Sequence, residues 1–436
     1  MRVAWRVEIE NAMSWSTFSS TERVGRVLLS IAIVVGVPAL AASHVFYVSA
    51  IAGAFYPFIF ASVIFIHLRM RFRWLDVAGI VVLGAIFAML NLFVIHRAEV
   101  VYLVSWISFL GMASIVIMGL NAVWLAGEER RTVLLALVPS ILILASNHYA
   151  GYLHKWTESA HPKVLDLYLY SFDSSLRAPI AFWMGQAYAK WKTLGDVSFV
   201  FYVGLPFSLA LVYAGQALRL RGKAISIFVA FLLMGPIGGI LYNLFPALGP
   251  AHLFVDRFPW QPLATDQARR LFLEPVAILG LRNAIPSLHM GWTLMALWYS
   301  RGLSVWERGL AMLFVLFTVV ATMGTGEHYL IDLVVAFPFV LFLQAMCATS
   351  LDWNDSRRLA PFAFGLATVL VWLWALRFWP HLFWYSPAIP WILCVLTIGV
   401  TEKLRRGFRD AIVGIVPSAS TLPANAAVSA VAEPAR

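Results

Sequence analysis

Apolar residues run along this chain in long unbroken blocks, at about positions 25–42, 45–67, 75–96, 101–126, 132–146, 197–218, 224–245, 285–300, 308–324, 329–349, 359–378 and 385–401. At ~1.5 Å per residue, blocks of roughly 15 to 26 residues span a ~30 Å hydrocarbon core, the shorter ones with local thinning or interfacial help. Transmembrane strands would alternate apolar and polar positions, and lipid offers the backbone no outside hydrogen-bond partner, so the blocks predict helices. The pattern is that of an all-α polytopic membrane protein with about twelve transmembrane helices. Two long connections, 147–195 and 246–283, interrupt it, and 412–436 is rich in Ala, Ser and Pro and expected to be disordered. The predicted units are an N-terminal bundle of about five spans (1–146), an outer-face connection (147–195), a helical core (196–350), two C-terminal helices (351–411) and the tail.

Composition closes off a soluble alternative. With 61% hydrophobic and 12% charged residues and a mean hydropathy of +0.80, the chain lacks the polar surface a water-soluble domain needs. Its net charge of +10 is distributed by side. Arg2, Arg6, Arg23 and Arg26, then Arg69-Arg71-Arg73, Arg130-Arg131, Arg219-Arg221-Lys223, Arg301 with Arg308, Arg357-Arg358 and Lys403-Arg405-Arg406-Arg409 all fall on one face under the twelve-span arrangement, the cytoplasmic one. The charge therefore encodes topology, and no nucleic-acid partner is expected. Both termini are then cytoplasmic and both long connections face outward, as in a protein of the bacterial inner membrane with a periplasmic site. Pro38-Ala39-Leu40-Ala41-Ala42 has the small residues of a cleavage site, but the long basic leader favours an uncleaved anchor. Cys347 and Cys394 lie inside apolar spans and are read as small buried hydrophobes rather than a disulfide framework.

Candidate chemistry concentrates in two short stretches. Arg282-Asn283-Ala284-Ile285-Pro286-Ser287-Leu288-His289 and Gly326-Glu327-His328-Tyr329-Leu330-Ile331-Asp332 each open an apolar block, two crossings apart, so both histidines return to the same face. Proline favours the first helical position, so Asn283 to Pro286 is expected to form an N-terminal turn whose backbone N–H groups would suit a phosphate. Arg282 would add a planar fork of donors and Ser287 a hydroxyl, against the plainer alternative of an interface anchor and a cap. Asp332 follows His328 by four residues, on one helical face, where its carboxylate can orient the imidazole. A charged Asp in a membrane helix costs about 2.5 kcal/mol or more unless partnered, so an idle role is disfavoured. A metal reading would use His289, His328, Asp332 and Glu327 as ligands, but imidazole, Arg and a helix dipole can stabilise the same charge, so no metal or other cofactor is expected.

These stretches resemble the type 2 phosphatidic acid phosphatase superfamily, and within it the branch containing inositol phosphorylceramide synthase. Pro286-Ser287-Leu288-His289 has the branch's Leu where lipid phosphatases carry Gly, and His328-Tyr329-Leu330-Ile331-Asp332-Leu333 matches the later element. Tyr242 to Pro250 looks like the segment this branch uses in place of the first phosphatase motif, and Asp166 to Asp173 looks like one found upstream in bacterial members. The likeness covers about 197–349. It implies a helical-bundle core that acts on phospholipid headgroups, with membrane lipid phosphates as donors and water or a lipid hydroxyl as acceptor. By residue, it implies His328 as nucleophile forming a phosphohistidine, His289 as the acid that protonates the departing alcohol, and Asp332 as the orienting carboxylate. Two departures matter: Ala321-Thr322 stands where the phosphatases have Ser-Arg, and no Lys-x6-Arg-Pro element precedes Arg282. Phosphate charge must then be met elsewhere, by Arg282, Ser287 and Asn283 first and by Arg269 or Arg270 second.

The remaining polar residues are assigned ordinary roles. Ile180, Trp183, Met184, Ala187, Tyr188 and Trp191 recur at helical spacing, predicting a helix lying in the interface, beside a lipid entrance or as a lid. His148, His154, His161 and His252 are read as solvated outer-loop residues, and His44, His67, His96 and His381 as interfacial ones. A transporter, the alternative from another class, would show similar halves and a site near the bilayer midplane, whereas these halves look unlike and the His and Asp residues gather at span ends. A catalytically inactive lipid-binding relative is the third possibility.

Overall fold

In the computed structural model, residues 20–42, 50–91, 93, 102–220 and 224–415 are described, and the molecule is 81% helical. Arg2, Arg6, His44, His96 and the tail from 416 lie outside the described residues, as does the side chain of His148. Five helices come first: α1 (Ser20–Ala42), α2 (Ala50–Met70), α3 (Trp74–Leu90), α4 (Tyr102–Trp124) and α5 (Gly127–Ala160). The outer connection holds β1 (Lys163–Val164), α6 (Asp166–Ser175) and α7 (Ile180–Lys190). Then follow α8 (Lys192–Val203), α9 (Leu205–Leu220), α10 (Ile225–Leu244), two five-residue helices α11 (Pro250–Phe254) and α12 (Thr265–Arg269), and β2 (Val276–Ala277). The chain ends with α13 (Leu288–Tyr299), α14 (Val305–Gly324), α15 (Leu330–Cys347), α16 (Ser356–Phe378) and α17 (Ala388–Ile415). The only departure from an all-α fold among the described residues is the antiparallel pair β1–β2, with Lys163 opposite Ala277 and Val164 opposite Val276.

Every predicted apolar block coincides with a helix, and among the described residues fewer than the twelve expected meet the length and hydropathy of a membrane span together. Among the described residues five meet length and hydropathy together, and a sixth does if α8 and α9, bent by 52°, form one span. The bend has a local cause. A side chain at Gly204 would meet the Val200 carbonyl at 2.7 Å, and Pro206 cannot donate the next helical hydrogen bond. The block at 285–300 yields only α13, twelve residues and about 18 Å, because the helix begins only after Ser287, whose own backbone is extended. Pro286 therefore precedes the cap instead of opening the helix. At the tail end, α17 runs on to Ile415, past the predicted boundary at 411.

Two apolar cores organise the bundle. One joins α2 to α5 with the inner faces of α9 and α10, through Ile59, Val63, Val116, Ala210 and Phe228. The other surrounds α15, which packs against α10, α13, α16 and α17 and is buried along nearly its whole length. The C-terminal helices share this second core through Val369, Trp372 and Leu373. Indole hydrogen bonds tie them further, Trp384 Nε1 donating to Ser171 Oγ (2.9 Å) and Trp391 Nε1 to the Leu176 carbonyl (3.2 Å). At the opposite end, Ser304 and Glu307 cap α14 reciprocally: Ser304 Oγ accepts from Glu307 N–H (3.3 Å) and the Glu307 carboxylate accepts from Ser304 N–H (2.9 Å).

α7 forms where the stripe predicts a helix. Its packed face is Ala181, Phe182 and Gly185, with Phe182 edge-on to Tyr170, Phe254 and Phe258, while Trp183 and Trp191 stay exposed. A Cβ at Gly185 would meet Pro259 at 2.6 Å, so the helix lies directly against the 258–259 loop and packs on α14.

Candidate active site

The two histidine stretches converge. His289, in the first turn of α13, and His328, immediately before α15, have ring centroids 6.3 Å apart at an interplanar angle of 65°. Ser287 is the α13 cap: its Oγ accepts from Met290 N–H (3.3 Å) and also lies 3.1 Å from His328 Nε2. The other imidazole nitrogen, Nδ1, faces Asp332 Oδ2 at 3.4 Å. His328 and Asp332 are both fully buried.

Asp332 organises both motifs. Sitting at the third helical position, its Oδ2 accepts from the Tyr329 backbone N–H at 2.8 Å, the return half of a capping box, while its main-chain carbonyl accepts from Ser287 N–H at 3.1 Å. The first bond fixes the residue next to His328, and the second fixes the cap of the other histidine's helix. Tyr202, at the C-terminal end of α8, stacks on His289 with centroids 4.2 Å apart and brings its hydroxyl to 3.4 Å from Nδ1. That leaves the Nε2 edge of His289 for chemistry. Phe55, from α2, stacks against the same imidazole at 6.4 Å, and Trp292 meets it edge-on at 5.8 Å. The N-terminal bundle thus contributes a wall of the site. Tyr202 and Phe55 are aromatic residues in apolar helices and carried no signal in the sequence; only the break at Gly204-Leu205-Pro206 marks the place.

The segment Asp166 to Asp173 acquires a role that sequence likeness alone did not supply. Asp166 accepts from Gly249 N–H (2.8 Å), Leu248 N–H (3.0 Å) and the Tyr329 hydroxyl (3.2 Å). Asp173 accepts from Leu330 N–H (2.8 Å), at the start of α15, where the helix dipole favours an acceptor. These two carboxyls brace the His328 loop from below. Burial pushes Asp166 up to about 6 and Asp173 up to about 8. An acid whose pKa is higher folded than unfolded binds its proton more tightly in the native state, so stability falls as pH rises from about 4 towards that folded value. Asp173→Asn keeps an acceptor for Leu330 N–H without a titrating proton. The expected result is activity within about twofold of wild type at pH 7, and a melting temperature that declines less between pH 5 and 8 than that of wild type. Equal declines would show that Asp173 does not titrate there.

Arg282 is held by the protein's own acceptors. Its guanidinium is 1% exposed and points into the protein. Nε donates to the His161 carbonyl (3.0 Å), Nη2 to the Ile278 (2.9 Å) and Pro162 (3.4 Å) carbonyls, and Nη1 to the Gly280 carbonyl, with Glu158 Oε1 3.5 Å away. Five acceptors surround five N–H groups, so Arg282 staples the loop after β2 to the start of β1. Asn283 keeps its side-chain oxygen buried without a hydrogen-bond partner. Thr322, where the phosphatases carry Arg, is fully buried. Arg269 and Arg270 are exposed, outside the histidine cluster.

Three histidines assigned to solvent or the interface are packed instead. His161 Nε2 is 3.1 Å from Asn243 Oδ1, His154 stacks on Tyr242 at 6.2 Å, and His67 is buried with Nδ1 2.8 Å from Ser114 Oγ and Nε2 3.6 Å from Asp76. His252 Nε2 lies 3.6 Å from Glu327 Oε1. Among the described residues, no group of three or more His, Cys, Asp or Glu side chains is arranged to hold a metal ion.

The fold and site define a helical membrane protein with paired histidines, one of them backed by a carboxylate. Residues 167–346 match the family model of the PAP2 superfamily, a span that takes in α6 after Asp166, both histidines and nearly all of α15. That similarity is to phosphatases and phosphotransferases acting on lipid phosphates. No curated protein and no solved structure matches the chain.

Proposed function

We propose that this protein is an integral-membrane phosphotransferase or phosphatase acting on lipid phosphates through a covalent intermediate on His328. The observation that supports it most is the convergence of His328, His289, Asp332 and Ser287. In this mechanism Asp332 holds the proton at Nδ1 of His328, and Nε2 attacks phosphorus. The phosphorus–oxygen bond to the first alcohol breaks, and His289 gives that oxygen a proton from Nε2. An incoming hydroxyl then loses its proton to His289 and attacks the phosphohistidine, releasing His328. Water as acceptor completes a phosphatase cycle and a lipid hydroxyl a transferase cycle. The finer reading is an inositolphosphotransferase-like activity, favoured by Leu288 in the first motif and by Thr322 in place of the phosphatase arginine. Further parts of the proposal are the inner membrane as location, cytoplasmic termini, about twelve crossings and a site open to the outer face. The metal independence of the chemistry is likewise proposed, and activity that withstands a chelator is its test.

The deciding experiment supplies purified protein with headgroup-labelled phospholipids and with phosphatidic acid, with and without ceramide or diacylglycerol, and follows label into product and onto protein. His289→Gln is expected to lower turnover of alkyl phosphate esters by about 10²- to 10⁴-fold, the range of a general acid. A phenolic ester, whose leaving group needs little protonation, should lose far less. Equal losses on both substrates would remove His289 from the acid role.

A further inference from the structure

We propose that His252, held by Glu327, is the cation that meets the substrate's phosphate at this site, the part that the sequence pattern assigned to Arg282. The inference rests on the phosphoryl-transfer reading above and supplies its missing positive charge.

Three loops meet beside His328, and glycines in left-handed conformations let them approach. At Gly249 (φ 144°) a side chain would meet the Glu327 and Gly326 carbonyls at 2.5 Å; at Gly326 (φ 77°) it would meet Ala251 at 2.6 Å. Ala251 N–H donates to the Gly326 carbonyl at 3.0 Å, so α11 is pinned to the residues just before the nucleophile. His252, one position on, points its Nε2 edge at the Glu327 carboxylate, and each side chain is about one-third exposed (34% and 33%). Its Nδ1 edge passes Gly280 (φ 142°), where an added Cβ would come within 3.3 Å of it. No protein hydrogen-bond acceptor faces that Nδ1 among the described residues.

The charged groups around His252 are Glu327 in contact, with Asp166 from α6 and Arg282 from the loop after β2 further off. The Glu327 carboxylate outweighs burial and the arginine and holds the imidazole above the ordinary histidine range. A group raised in this way is cationic below its pKa and loses its charge as pH rises through it. With Arg282 committed to backbone carbonyls and Thr322 in place of an arginine, this partly exposed imidazolium, in contact with Glu327, is a cation beside the His328 loop. The same placement joins phosphate recognition to the nucleophile, since Glu327 and His328 are consecutive.

The test measures binding without chemistry, in full-length protein carrying His328→Gln. The probe is a short-chain phosphatidylglycerol, whose phosphodiester keeps one charge between about pH 6 and about pH 9, so that any titration belongs to the protein. Affinity is expected to fall about tenfold across that range; a second change, His252→Gln, should give the weaker affinity at every pH, and His252→Arg the stronger one. Glu327→Gln should move the fall to lower pH, a readout that survives if His252→Gln does not fold. Orthophosphate at about pH 6 should compete with the lipid, and lose that ability in His252→Gln; this arm separates a contact to phosphate from one to glycerol or acyl chain. Binding that is unchanged in strength and pH dependence by His252→Gln overturns the proposal, as does a lipid that binds no variant. Absence of a phosphoenzyme in wild type would instead end the mechanism while leaving this binding result standing.

Discussion

His328→Gln is expected to abolish phosphoryl transfer, to below about 10⁻⁴ of wild-type turnover, and to remove every trace of acid-labile, base-stable label from the protein. Loss of the nucleophile leaves only the positioning of the substrate and whatever charge stabilisation surrounds it. Glutamine preserves hydrogen bonding near Ser287 Oγ, which lies 3.1 Å from Nε2, and the fully buried site keeps its packing. Melting behaviour should therefore stay close to wild type, separating chemical from structural loss. Asp332→Asn should behave differently. Its carboxylate both faces Nδ1 and caps Tyr329 N–H, so that variant should lose stability as well as turnover. A His328→Gln protein with appreciable turnover would end the phosphohistidine mechanism, and a transporter or a lipid-binding role would then have to explain the paired histidines.

The chemistry of the site was legible in sequence wherever a residue type is expensive to bury in lipid. His289, His328 and Asp332 stand out in apolar blocks for that reason, and they do meet. Their surroundings were illegible for the opposite reason. Tyr202 and Phe55 are unremarkable in apolar helices, and only the 52° bend after Val203 and the packing of α2 bring them to His289. Asp166 and Asp173 were visible as a likeness, but their work is done through backbone N–H groups of Leu248, Gly249 and Leu330, about 80 to 160 residues away, which no local pattern records. The same blindness affected the helices. Block length was read as crossing length, yet the 285–300 block spends its first residues on the approach to Ser287 and keeps only twelve for helix. Arg282 was the least legible, because a phosphate and a ring of backbone carbonyls call for the same forked cation, and sequence cannot say which is present.

Arg282→Met distinguishes those two possibilities with a large effect on folding rather than on affinity. If the arginine met substrate phosphate, its loss would weaken lipid binding and leave the fold intact. The five acceptors around its guanidinium predict the reverse. Methionine fills much of the volume but strands the carbonyls of His161, Pro162, Ile278 and Gly280 that gather around a side chain 1% exposed. Stranding buried partners of a charged group costs about 3–5 kcal/mol, a large share of the ~5–15 kcal/mol that holds a typical domain together. The consequence should be a strongly lowered melting temperature and poor recovery from detergent, with early proteolysis in the 276–283 loop as β1 and β2 separate. Lys in the same place should rescue little, since one ammonium cannot reach carbonyls on both loops at once. The fraction that remains folded should bind phosphatidylglycerol within about twofold of the parent, because the donor edge at His252 is untouched. A stable Arg282→Met protein with a tenfold loss of lipid affinity would restore the arginine to the substrate site and leave the carbonyl cage without a purpose.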